Sequence, residues 1–429
     1  MIDSSPEQHS FQRSSASSTR LPIALIIIPL CFLIPVDFSL YIGSLRLNAY
    51  RIGFIVFLPS IVHALLMSGR VQLRLFDWVI LAYASWLMIT LIHHLGFAEG
   101  IESGGVIALE TVAAYFVART FLTDYDTIVR FIRYLIVLAT IVAIILIIEM
   151  IAGQNLVNQI STSILGTAAA RGEIGRFGLV RALGPFTHPI HAGIMAGGLF
   201  AFHWALCRSQ MRRWLQAAVL GVGVFGSISS GPFLMLLSQM ALLLYQNISK
   251  RLSMPRPWYV LTLAAIAFMA FLQIASNRGA VLFLVQNLAF NAWNGFYRIL
   301  QWNFAGAEVM RNPLWGIGFG EWARPRWMMM NTSIDSFWLA TSLRYGLPST
   351  FLLIVAIVLI WRAVIPAHKQ RVNANLRSLS LSWFFVMATW IFVGITVHFW
   401  TQTYVFFFLV LGMGAAIAEI HRKPSIQGP

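Results

Sequence analysis

The sequence predicts an all-α polytopic membrane protein, and three observations carry that prediction. Hydrophobic residues make up 58% of the chain and charged residues 10%, which leaves too little charge to cover a water-facing surface. Apolar runs close to the ~20 residues that a bilayer-spanning helix needs recur from Leu21 to Ala418, with short charged breaks between them. When those runs are threaded back and forth through a membrane, the basic residues gather on one side.

The elements follow in order, about twelve spans in all. Residues 1–20 are Ser-rich and polar, too poor in apolar groups to order themselves, and are expected to form a disordered cytoplasmic tail. No small-residue cleavage site follows the run Leu21–Pro35, so the first span is expected to be retained. Spans are expected at 21–36, 50–67, 77–95, 105–122 and 134–152, then an outer loop at about 153–188. Four more follow at 189–206, 214–229, 232–247 and 258–275, and a large outer loop at about 276–335. The last three lie at 336–361, 379–397 and 400–418, so that 21–418 forms one transmembrane domain and 419–429 a cytoplasmic tail.

With the N-terminus inside, the inner loops receive Arg70, Arg130, Arg133, Arg208, Arg212 and others, together with every lysine of the chain: Lys250, Lys369 and Lys423. The outer face holds arginine only. Lysine suffices as a topological charge, whereas the planar guanidinium grips phosphate oxygens in pairs, so this asymmetry suits an oxyanion site. A genome-wide preference for arginine codons would explain the bias but not its clustering. No nucleic-acid partner is expected. Cys31 and Cys207 lie in or at the end of apolar spans and offer neither a disulfide framework nor a metal cluster.

The first outer loop contains Arg176 and Arg181. The second outer segment, taken from Ser276 to about Arg344, contains Arg278, Arg298, Arg311, Arg324, Arg326 and Arg344 against Glu308, Glu321 and Asp335, and is net basic. Within it, 289–310 mixes Trp293, Phe296, Tyr297, Leu300 and Trp302 with polar residues, the pattern of an amphipathic interfacial helix. Pro313 ends that helix, and Gly316, Gly318 and Gly320 allow the chain to turn closely past a ligand or a neighbouring span, shaping a cavity. No Walker A loop, dinucleotide fingerprint, zinc spacing or G-x-S-x-G elbow is present, so no cofactor and no metal is expected, and energy must come from the substrate or a gradient.

Three blocks in order resemble the O-antigen ligase and Wzy-type polysaccharide polymerase superfamily: Arg181 to Pro189, the Ser229-Ser230-Gly231 turn, and Tyr297-Arg298 followed by Asn312 to Gly318. A fourth, Asp335 to Pro348, looks like the segment that enters the span after the large loop. The resemblance implies a GT-C-like helical fold in a bacterial inner membrane, with both termini cytoplasmic and a periplasmic, metal-independent active site. It implies polymerisation of undecaprenyl-diphosphate-linked repeat units, for O-antigen, capsule or exopolysaccharide. Membrane lipids and a chain-length regulator are the implied partners. A ligase moving polymer to another acceptor, and a flippase or transporter of lipid-linked oligosaccharide, are the alternatives.

The resemblance places Arg181 and Arg298 at the arginines that bind the lipid-linked diphosphate; Arg278 and Arg344 are expected either to complete a positive rim or to contact headgroups and solvate helix ends. The physics agrees, because a diphosphate leaving group gains charge as the glycosyl bond breaks and fixed donors stabilise that state most. The ligase pattern carries a histidine in the large loop, but 276–346 contains none, which favours a polymerase. Asp335 stands near that place, either as a general base with a raised pKa or as the N-cap of the following helix. His188 and His191 at the outer end of the sixth span are further candidates for the base. Glu149 lies within the fifth span, where an ionisable group is costly and marks function by default, but its place near the outer end also lets it reach water.

Overall fold

The computed structural model describes residues 20–67, 71–166, 175–277, 279, 280, 283, 290, 292–328, 333–365 and 374–422. The expected tail at 1–19, Arg278 and residues 423–429 lie outside the described residues.

The first half of the chain forms α1 (Ile23–Cys31), a hairpin of β1 (Ser39–Ile42) and β2 (Leu45–Asn48), then α2 (Ala49–Leu66), α3 (Leu75–Leu95), α4 (Phe97–Phe121) and α5 (Tyr125–Ala152). Next come α6 (Leu156–Leu165), a hairpin of β3 (Gly175–Arg176) and β4 (Leu179–Val180), α7 (Pro189–Gly197) and α8 (Phe200–Leu206). The rest is α9 (Gln210–Gly226), α10 (Ser230–Arg251), α11 (Pro257–Ala275), α12 (Ala292–Arg311), α13 (Phe337–Val364), α14 (Ala374–Val393) and α15 (Gln402–Arg422). Among the described residues, eight helices are long and apolar enough to cross a membrane: α2, α3, α4, α5, α11, the Leu347–Val364 part of α13, α14 and α15. The protein is thus an all-α polytopic membrane protein, with two small antiparallel hairpins among the described residues.

The other expected spans are helical but do not combine length with apolarity. The run 21–36 yields only the nine-residue α1, and 189–206 is broken between α7 and α8 at Gly198. The 17-residue α9 and the more polar α10 occupy the other two. Helix α15 does not stop at 418; it runs on through Glu419 to Arg422, where Glu419 pairs with Arg74 at 3.1 Å and Arg119 at 3.3 Å. Arg119 also lies 3.3 Å from the fully buried Asp77, so one charge network ties α3, α4 and α15 together at this end of the bundle.

Helix α15 is the most enclosed span and packs on α4 and α13, while α5 packs along α9. Trp383 and Trp390 are wholly buried between these groups. Helix α12 lays Ala305 and Val309 against Leu339, Ala340 and Leu343 of α13, leaving Trp293 and Met310 exposed on its other side. The segments 175–188, 227–230, 333–335 and 396–400 meet at one end of the bundle, where their residues line a common cavity.

Candidate functional site

The site is assembled from four turns. In the first, β3 and β4 join through Phe177 and Gly178, both with positive φ, which sets Arg176 at the end of a strand facing the α9–α10 turn. Arg176 donates to the Ile228 carbonyl at 3.2 Å. The chain beyond β4 is fastened by Glu149 at the end of α5, whose fully buried carboxylate accepts backbone N–H bonds from Val157 (3.0 Å), Leu183 (2.9 Å) and Gly184 (2.8 Å). A carboxylate with three backbone donors repays its desolvation, so Glu149 acts as the post that holds the Arg181 loop.

Arg181 is only 5% exposed. Its Nε donates to the Ser227 carbonyl at 3.3 Å and a terminal nitrogen donates to Ser229 Oγ at 2.7 Å. The small residues of the α9–α10 turn therefore form the seat of this arginine. Among the described residues neither Arg176 nor Arg181 has a carboxylate within ion-pair distance. Burial, and then Arg176 and Arg298, push the Arg181 guanidinium down to about 10, so it stays charged at neutral pH.

Arg298 enters from α12. Its Nε lies 3.6 Å from Asp335 Oδ2, within ion-pair range yet beyond a hydrogen bond, and this buried nitrogen has no hydrogen-bond partner. The Asp335 backbone N–H donates to Gln301 Oε1 at 3.0 Å, while Ser336 Oγ takes the Leu339 N–H and caps α13. The cap is thus Ser336, and the Asp335 carboxylate is left to the cavity. Burial pushes that carboxyl above its usual range, against the lowering pull of Arg298.

His188 is the N-cap of α7: its Nδ1 accepts the Ile190 N–H at 3.2 Å, with Pro189 at the first helical position. Burial, followed by Arg181, Arg176 and Arg298, pushes its pKa down to about 4, so the ring is neutral with its proton on Nε2. His188 presents a donor to the cavity. His191 has the opposite arrangement. Its Nε2 faces the His398 carbonyl at 3.1 Å, and because a carbonyl only accepts, the proton sits there and Nδ1 carries the lone pair. That Nδ1 is buried without a hydrogen-bond partner, and the ring stands 4.0 Å from the Trp400 ring.

These residues enclose a cavity of about 300 Å³ lined by Arg176, Arg181, Arg298, Asp335, His188, His191 and His398, with Ser229, Ser230, Tyr297 and Trp400. Three guanidinium groups face one carboxylate and three neutral histidines. Such a space favours an anion with several oxygens.

Of the sequence-predicted residues, Arg181, Arg298, Asp335, His188 and His191 line this cavity. Arg344 does not; its guanidinium lies over the Phe319 ring at 5.5 Å, although its charge helps burial to push His398 down to about 3. Pro313, Gly316, Gly318 and Gly320 do not line it either. Their turn docks on α13: Leu347 donates to the Pro313 carbonyl at 2.7 Å, and Ile317 donates to the Leu343 carbonyl at 2.8 Å. Gly316, at φ +65°, sits where a Cβ would come 2.5 Å from the Leu343 oxygen. Sequence reasoning missed His398, which the 394–401 turn brings to the backbone of Ile334, next to Asp335. Residues 276–346 contain no histidine, and His398 reaches the cavity from a different turn. The signal was present: His398 falls in the short turn between the last two expected spans. Among the described residues no group of three or more His, Cys, Asp or Glu is placed to hold a metal.

The chain matches no protein-family model and no curated protein sequence.

Proposed function

We propose that the protein is a membrane glycosyltransferase that polymerises lipid-linked oligosaccharide repeats on the outer face of a bacterial inner membrane, with a polyprenyl diphosphate as leaving group. The convergence of Arg176, Arg181 and Arg298 on one cavity that also holds Asp335 is the observation that carries this reading. The diphosphate of the donor lies against the arginines. An acceptor sugar hydroxyl gives its proton to the Asp335 carboxylate, and its oxygen forms a bond to the anomeric carbon. The bond from that carbon to the diphosphate oxygen breaks, and the electron pair leaves on the diphosphate, where the guanidinium groups offset the growing charge. The free Nδ1 of His191 accepts a hydrogen bond from a sugar hydroxyl and orients it, and the neutral His188 donates one.

The test is transfer by the reconstituted protein with lipid-linked repeat units as both donor and acceptor. Arg181→Ala and Arg298→Ala each lower the rate by about 100-fold, the scale of losing one oxyanion donor, and Asp335→Asn lowers it by about 100-fold or more. Long polymer at the wild-type rate from both arginine variants sinks the diphosphate role. Transfer of preformed polymer to an added acceptor other than the lipid-linked repeat, with no chain growth on the repeats, identifies a ligase instead.

A further inference from the structure

At the end of the bundle opposite the arginine cavity, a second polar groove lies beside α5. A cavity of about 380 Å³ is lined by Arg130, Arg133 and Arg208 with Asp126, Asn375 and Ser378. A neighbouring one of about 450 Å³ shares Arg133, Leu206 and Arg208 and adds Arg212, Gln216 and Ile136. Arg133, Arg208 and Arg212 come from α5, the α8–α9 turn and α9, and among the described residues none has a carboxylate within ion-pair distance. A topological charge needs no such convergence; positive-inside residues serve equally well spread over a loop.

An apolar row leads away from these charges. On α5, Val137 (51% exposed), Ile141 (39%), Ile144 (45%) and Ile148 (50%) follow Arg133 at steps of three and four, so all lie on one helix face. At 1.5 Å per residue the row from Val137 to Ile148 covers about 16 Å, close to the ~15 Å of hydrocarbon in one leaflet. Gln216, whose amide donates to Thr140 Oγ1 at 2.7 Å, holds α9 beside this row without covering it.

We propose that this groove is a binding site for an anionic phospholipid of the inner leaflet. The phosphodiester headgroup lies between Arg133, Arg208 and Arg212, and one acyl chain lies along the Val137–Ile148 row. A phosphodiester supplies the paired oxygens that guanidinium groups grip, and a zwitterionic headgroup adds an ammonium that three arginines repel.

The full chain is extracted from vesicles of equimolar phosphatidylglycerol and phosphatidylcholine, and the retained lipid is counted by native mass spectrometry. Phosphatidylglycerol is retained over phosphatidylcholine by about tenfold or more, and Arg133→Gln reduces that preference by about fivefold, the effect of one surface basic residue on an anionic lipid. The triple variant Arg133→Gln, Arg208→Gln, Arg212→Gln abolishes it. Arg251→Gln, at the same end but lining neither cavity, leaves it intact and controls for general charge. Preference retained by the triple variant, or absent from the wild type, overturns the proposal. In thermal unfolding, phosphatidylglycerol protects and millimolar inorganic phosphate does not; equal protection by free phosphate overturns the lipid assignment.

Discussion

Arg181 shows how a single side chain acquires a task from its surroundings. A guanidinium with 5% exposure, held by one serine hydroxyl and one carbonyl, is an expensive group to bury. The same field acts on His188, whose pKa of about 4 lies below the ~6.5 of a free histidine. The unfolded chain therefore binds a proton that the folded one refuses between those values. Stability is full above about pH 6.5 and is lost as the pH falls towards about 4. His188→Gln keeps a side-chain acceptor for the cap, and its thermal midpoint should vary less across that window than the wild type's; an unchanged slope contradicts the shift. Individual residues were unevenly legible. Arg181, Arg298 and Asp335 stood out as charges on an outer face, whereas Arg176 looked like one loop charge among several until the β3–β4 hairpin aimed it at Ile228.

At the scale of elements, breaks in helices matter more to the site than the helices themselves. The turn at 227–229 seats Arg181, the β3–β4 hairpin seats Arg176, and the 394–401 turn brings His398 and Trp400 to the cavity. Glu149 fastens the loop that carries Arg181, since its carboxylate accepts from the backbone at 157, 183 and 184. Glu149→Ala leaves three backbone donors without that partner and costs about 1–3 kcal/mol for each one that stays buried and unpaired. We expect weaker binding of polyprenyl diphosphate and a lower unfolding temperature in this variant, and wild-type binding would show that the loop does not depend on it. Glu149 was visible in the sequence as a charge in an apolar span, but its bonds run to residues up to 35 positions away, which no local pattern encodes. The Asn312–Gly320 turn shows the reverse. Its Pro/Gly signature correctly marked a close approach, yet the partner is the α13 backbone and not a ligand. Gly346, at φ +77°, completes that fit, since a Cβ there would overlap the Leu314 carbonyl.

For the whole molecule, composition alone fixed the class, because a chain with 10% charged residues has no means of covering itself in water. Boundaries were less legible where function interrupts the helices. Of the about twelve spans expected from apolar runs, eight are helices of spanning length and apolarity among the described residues, and the remainder are short, broken or more polar. The broken pair α7–α8 and the helix α10 supply His188, His191, Ser229 and Ser230 to the cavity from their ends. Two basic regions now sit at opposite ends of the bundle, one enclosed and carrying Asp335, the other open along α5. The enclosed one is the centre of the account. Its most direct test is a cryo-electron microscopy map of the protein reconstituted with a polyprenyl diphosphate. The diphosphate should lie within hydrogen-bonding distance of Arg181 and Arg298 and next to Asp335, with that density lost in Arg181→Ala; a diphosphate bound elsewhere, or an empty cavity at saturating ligand, contradicts the account.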